Sequence, residues 1–90
     1  MIKKTVTLIN EQGLHARPAQ LLAAEAMKYK CELQLIKNDD NSRICNPKSI
    51  LSIMSMGAAK GDKITITADG LDEEKALKAL AELIENGFGE

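Results

Sequence analysis

From Ile2 to Ile9 β-branched residues are interleaved with polar ones, the signature of a strand. Asn10-Glu11-Gln12-Gly13 is a turn. Between Pro18 and Tyr29 alanine and leucine dominate, and Leu21, Leu22, Ala24, Glu25 and Lys28 provide an apolar and a polar face, which predicts a helix. Glu32 to Lys37 reads as a short strand, Asn38 to Asn41 as a polar hairpin turn, and Ser42 to Cys45 as the returning strand. Asn46-Pro47-Lys48-Ser49 breaks the strand pattern. Ser49 is placed to cap a short helix from Ile50 to Met56, and Gly57 to stop it. After a turn at Gly61-Asp62, Lys63 to Ala68 alternates, with Ile64, Ile66 and Ala68 on one face and Thr65 and Thr67 on the other. The last helix starts in the acidic turn Asp72-Glu73-Glu74, which suits the positive end of its dipole. Its buried stripe is Ala76, Leu77, Leu80, Leu83 and Ile84, and Gly87 ends it.

The order β-α-β-β-α-β-α predicts an α+β, two-layer fold in which helices cover one face of a single sheet. The opposite face is expected to be solvated, which fits its threonines and lysines. No linker or low-complexity segment divides the chain, so residues 1–90 are read as a single domain.

Composition narrows the function. Tyr29 and Phe88 are the only aromatic residues, so the core must be built from Ile, Leu, Val, Ala and Met. A formal net charge of -1 argues against electrostatic nucleic-acid binding as the main role. No apolar run is long enough to span a bilayer, so no direct membrane insertion is expected. Met1-Ile2-Lys3-Lys4-Thr5 lacks the apolar core of a signal peptide, and a cytoplasmic location is expected. Cys31 and Cys45 have no metal-ligand spacing and lie far in sequence from His15. A hairpin near Asp39-Asp40-Asn41 would let the two thiols approach as a redox pair, although two reduced thiols suit a cytosolic chain better.

The candidate chemistry sits in Gly13-Leu14-His15-Ala16-Arg17-Pro18-Ala19. His15 is the only histidine, and it stands where a helix is expected to begin. The first N–H groups of a helix lack internal partners, carry partial positive charge and bind anions. Pro18 has no N–H to lose in a first turn, and it biases Arg17 away from ordinary helical geometry. The backbone N–H groups of Ala16 and Arg17 are therefore expected to point at a ligand, with His15 at or next to the N-cap. The Arg17 guanidinium can grip two phosphate oxygens where a lysine offers a point charge. The positive surroundings favour the neutral, nucleophilic imidazole. Such a group can accept, hold and release a phosphoryl group.

This segment resembles the active-site signature of the HPr family, the histidine-containing phosphocarriers of the bacterial phosphoenolpyruvate-dependent sugar phosphotransferase system. A second block, Lys48-Ser49-Ile50 followed by Ile53-Met54-Ser55-Met56-Gly57, resembles the regulatory-serine region of family members from low-GC Gram-positive bacteria. The resemblance implies an open-faced sandwich, a four-stranded antiparallel sheet with three helices on one face. It implies a covalent carrier rather than a stand-alone enzyme, monomeric and with no cofactor or bound metal. His15 would take phosphate through Nδ1 from enzyme I and pass it to IIA domains of sugar permeases, with Arg17 steadying the phosphate.

Ser49 reads first as a helix N-cap. The resemblance adds phosphorylation there by an HPr kinase/phosphorylase, and a transcriptional co-regulator as a further partner. Ile50, Leu51 and Met54 are the docking candidates beside it, with at least one of the three expected in the core. Pro47, Ser52 and a long hairpin from Asn38 to Arg43 depart from the sugar-branch pattern. The alternatives are accordingly a paralogous carrier in a regulatory, nitrogen-type phosphotransfer chain, and a non-catalytic anion-binding α+β module.

Overall fold

A computed structural model describes residues 1–40 and 44–89. Four strands, β1 (Ile2–Thr7), β2 (Glu32–Lys37), β3 (Ile44–Cys45) and β4 (Lys63–Asp69), form one antiparallel sheet in the order β1-β4-β2-β3. Three α-helices, α1 (Ala16–Ala26), α2 (Ile50–Ser55) and α3 (Glu73–Glu85), cover one face, and a left-handed turn follows at Gly87–Gly89. The expected open-faced α+β sandwich is the fold observed.

The alternation in β4 sets the layers. Ile64, Ile66 and Ala68 are fully buried toward the helices, opposite Val6 on β1 and Leu33 and Leu35 on β2. Leu22, Ile53, Leu80 and Ile84 complete the same apolar cluster from the helix side. In α3, Leu77 and Leu83 are only partly buried and Ala81 takes the central place, because the small side chain lets the helix approach the sheet closely. In α1 the buried face is Pro18, Ala19, Leu22, Ala23 and Ala26, whereas Leu21 and Ala24 face outward.

The far face of the sheet departs from expectation. Thr65 and Thr67 are buried, although no helix lies over them. β4 is central, so the side chains of β1 and β2 close over its middle; the Thr5 and Thr65 hydroxyls share a hydrogen bond of 2.8 Å. Of the expected returning strand Ser42–Cys45, Ile44–Cys45 is strand, and Asn41, Ser42 and Arg43 lie outside the described residues. The hairpin turn has the Asp40 N–H bonded to the Lys37 carbonyl at 2.9 Å with Asn38 and Asp39 at φ +50° and +60°. Asn and Asp tolerate that left-handed backbone.

Candidate active site

His15 is the N-cap of α1, with extended backbone (φ -78°, ψ -170°), as its position before the Ala-rich run foretold. The first intrahelical bond is donated by Ala19 N–H to the His15 carbonyl at 3.0 Å. Ala16 and Arg17 precede that bond and therefore have no intrahelical acceptor, and Pro18 has no N–H to satisfy. Pro18 is fully buried as the third residue of the first turn, so the helix begins two residues earlier than the proline. Ala16 and Arg17 are exposed and His15 is half-buried. Arg17 makes no ion pair among the described residues.

The loop before His15 is tied down along its length. Gly13 N–H bonds the Asn10 carbonyl at 3.0 Å, and Leu14 N–H bonds the Ala58 carbonyl at 3.1 Å. Gly13 has φ +67°, and a Cβ there would lie 2.2 Å from the Ala58 oxygen, so only glycine allows this approach. Leu8 and the segment at Gly61-Asp62 exchange two more backbone bonds, at 2.8 and 2.9 Å. The helix start that carries His15 is thus built on the 57–62 loop rather than on its own sequence neighbours alone.

His15 opens onto a concavity of about 370 Å³ lined also by Ile9, Asn10, Glu11, Gln12 and Gly87. Lys60 bonds the Glu11 carboxylate and holds its pKa below the usual glutamate range. Asn10 was legible only as part of a turn. Its amide donates to the Gly87 carbonyl at 2.8 Å, a contact no local pattern announces.

Ser49 is the N-cap of α2, and its hydroxyl accepts from Ser52 N–H at 3.2 Å. Pro47 is fully buried in a turn closed by Ser49 N–H on the Asn46 carbonyl at 3.0 Å, a position that suits its fixed φ. The Ser52 hydroxyl accepts from Asn46 N–H at 2.9 Å, so a serine there has local work. Ile50, Leu51 and Met54 are all exposed, Leu51 at 79 %. The expectation that at least one belongs to the core is therefore corrected: a six-residue helix offers one inward row, and Ile53 occupies it.

Lys48, noticed only as the neighbour of Ser49, reaches the Tyr29 and Cys31 carbonyls at 2.8 and 3.0 Å. Asp72 accepts from the N–H groups of Lys30 and Cys31 at 2.8 and 2.9 Å. The acidic residue expected to serve the start of α3 is instead spent on the chain that leaves α1, and these bonds, that from Lys30 first, lower its pKa. Cys31 and Cys45 are both buried and free. The register puts Cys45 opposite Leu35, four residues beyond Cys31, roughly 13 Å along a strand and too far for a disulfide. Burial pushes both thiols up in pKa, that of Cys31 with help from Asp72. Among the described residues no group of three His, Cys, Asp or Glu side chains is disposed to hold a metal, and no helix is long and apolar enough to cross a membrane.

An open-faced sandwich that presents one histidine on a donor-rich helix start has the architecture of a phosphocarrier domain. The family model described as "PTS HPr component phosphorylation site" matches residues 2–86. The phosphocarrier protein HPr of Neisseria meningitidis serogroup A is 43 % identical over 90 residues, covering 100 % of this chain and 98 % of that one. A multiphosphoryl transfer protein of Haemophilus influenzae is 35 % identical over 89 residues, 99 % of this chain but 18 % of that larger one. Among solved structures, HPr-C-His from Thermoanaerobacter tengcongensis superposes with a TM-score of 0.90 at 41 % identity, covering 100 % and 98 % of the two chains. The chain belongs to the HPr family of the phosphotransferase system, whose members are phosphocarriers rather than stand-alone enzymes.

Proposed function

We propose that this chain carries phosphate on His15 between enzyme I and the IIA components of sugar uptake, in the cytoplasm and as a monomer. The observation that carries the reading is the start of α1, where His15 caps a helix whose Ala16 and Arg17 N–H groups have no intrahelical acceptor. In the forward step the neutral His15 Nδ1 attacks the phosphorus held on enzyme I. A new P–N bond forms as the donor's bond to phosphorus breaks, and the other His15 nitrogen keeps its proton. The transferred oxygens meet the two backbone donors and the Arg17 guanidinium. All are near the surface, so the hold is weak enough for the group to leave again to a IIA histidine. No cofactor enters the step.

Ser49 serves as the regulatory site in the same proposal. A phosphate placed there by an HPr kinase/phosphorylase would sit at the N-terminus of α2, where negative charge is tolerated, so the fold would persist. Its charge would alter the apolar surface of Ile50, Leu51 and Met54, through which enzyme I, IIA domains and a transcriptional co-regulator would dock.

Incubation with enzyme I and labelled phosphoenolpyruvate, followed by addition of sugar-specific IIA, tests the reading. Label should appear on this chain and then move to IIA. Label that loads but reaches no sugar-specific IIA would favour a regulatory transfer chain. A chain that takes no label beside a labelled control HPr would be an anion-binding module. With HPr kinase/phosphorylase and ATP, acid-stable label should appear on the wild type and be lost in Ser49→Ala.

A further inference from the structure

Three consecutive residues at the end of the described chain, Gly87, Phe88 and Gly89, take left-handed φ angles of +61°, +57° and +77°. A bulky side chain in that region is uncommon, and it persists only where its surroundings hold it. Phe88 is held by burial, at 5 % exposure. Gly87 is held by Asn10, whose amide donates to the Gly87 carbonyl at 2.8 Å across 77 residues of sequence. Asn10 is itself 5 % exposed. Burying an amide is costly unless its bonds repay it, so its presence here points to what it bonds.

The same residue organises the other side of the site. The Asn10 carbonyl accepts Gly13 N–H, closing the turn that leads into His15. Asn10, Gly87 and His15 all line one concavity. A strained turn is therefore pinned, through one buried side chain, as a wall of the space the histidine faces.

We infer that Asn10 is a positioning residue for phosphoryl transfer: it pins the Gly87–Gly89 turn as a wall of the His15 concavity and so fixes the presentation of the imidazole to an incoming phosphoryl group. The inference rests on the carrier reading of His15. Asn10 acts through the wall, and the docking residues Ile50, Leu51 and Met54 are not part of it.

Two variants test it from opposite sides. Asn10→Ala removes the donor. Gly87→Ala disturbs the acceptor, since its Cβ would sit at φ +61° and 3.2 Å from Ile9 Cδ1. If one fails to fold, the other carries the test. Steady-state transfer from phosphorylated enzyme I should show kcat reduced about tenfold with KM unchanged, because orientation is lost and docking is not. The double variant should be little worse than the weaker single one, as expected for two residues acting through one contact. A folded Asn10→Ala with wild-type kcat, or an effect confined to KM, would overturn the inference. Nitrogen-15 and proton shifts of the His15 ring give a reading that needs no transfer partner. They should move in both variants; unmoved ring signals in a folded Asn10→Ala would overturn the inference even if the chain loads phosphate. A wild-type chain that loads no phosphate would defeat the carrier reading, while ring shifts that still move would show that Asn10 positions His15.

Discussion

Replacing Gly13 by alanine should damage the site through the backbone alone. The residue has φ +67°, and left-handed backbone costs a residue with a Cβ about 1–2 kcal/mol. The new Cβ would also lie 2.2 Å from the Ala58 oxygen and 2.9 Å from the Ala59 Cα, both backbone atoms that cannot swing aside. The 57–62 loop must therefore retreat, and the Leu14 N–H bond to Ala58 is stretched or lost, at about 1–2 kcal/mol. Reduced freedom of the unfolded chain returns about 0.5 kcal/mol. The net loss is about 1.5–3.5 kcal/mol, centred near 2.5. A domain of this size shifts by roughly 4–8 °C per kcal/mol, so the midpoint should fall on the order of 10–20 °C in a circular-dichroism melt. Phosphate acceptance should fall as well at a temperature where the variant is still folded, because the start of α1 is carried on that loop. A Gly13→Ala protein that melts with the wild type would mean that the close approach to Ala58 does not constrain the loop.

Other outcomes follow from single contacts. Arg17→Lys should leave the melting midpoint within a few degrees, because Arg17 is exposed and makes no ion pair among the described residues, yet slow phosphate loading about tenfold; equal loading rates would remove Arg17 from the chemistry. Ser49→Ala should cost about 1 kcal/mol in urea unfolding through loss of the bond from Ser52 N–H, and an unchanged midpoint would deny the cap. Asp72 has a pKa lowered in the fold, so its contribution is present above the unfolded value of about 4 and is lost as pH falls through the lower folded value. Asp72→Asn should flatten the stability profile in that acidic window only; an equal slope there would mean the bonds from Lys30 and Cys31 are not linked to folding. Both thiols should react with a thiol reagent slowly in the folded protein and fast in denaturant, because burial raises their pKa; one fast native thiol would contradict the buried placement of Cys31 or Cys45.

Local signals were legible wherever the physics is local. Ser49 before an apolar run marks an N-cap, and the alternation of Lys63 to Ala68 marks a strand. An unsatisfied helix start beside His15 can likewise be read from Pro18 and the alanines after it. Membership of the HPr family was legible for the same reason, since the signature that resembles it is concentrated in seven consecutive residues. What could not be read depends on the third dimension. Thr65 and Thr67 look like solvent positions until β4 proves to be central. Asp72 looks like helix capping until the chain after α1 is found beside it. Ile53 rather than Ile50, Leu51 or Met54 faces inward, a choice that a six-residue helix leaves to its packing against α1. Asn10 is the extreme case, because its partner is 77 residues away.

Carrier function requires phosphate to reside on His15. Intact-mass measurement after incubation with enzyme I and phosphoenolpyruvate should show the addition of one phosphoryl group that acid removes, and none on a folded His15→Ala chain. Equal labelling of His15→Ala, or acid-stable label on the wild type under these conditions, would contradict it.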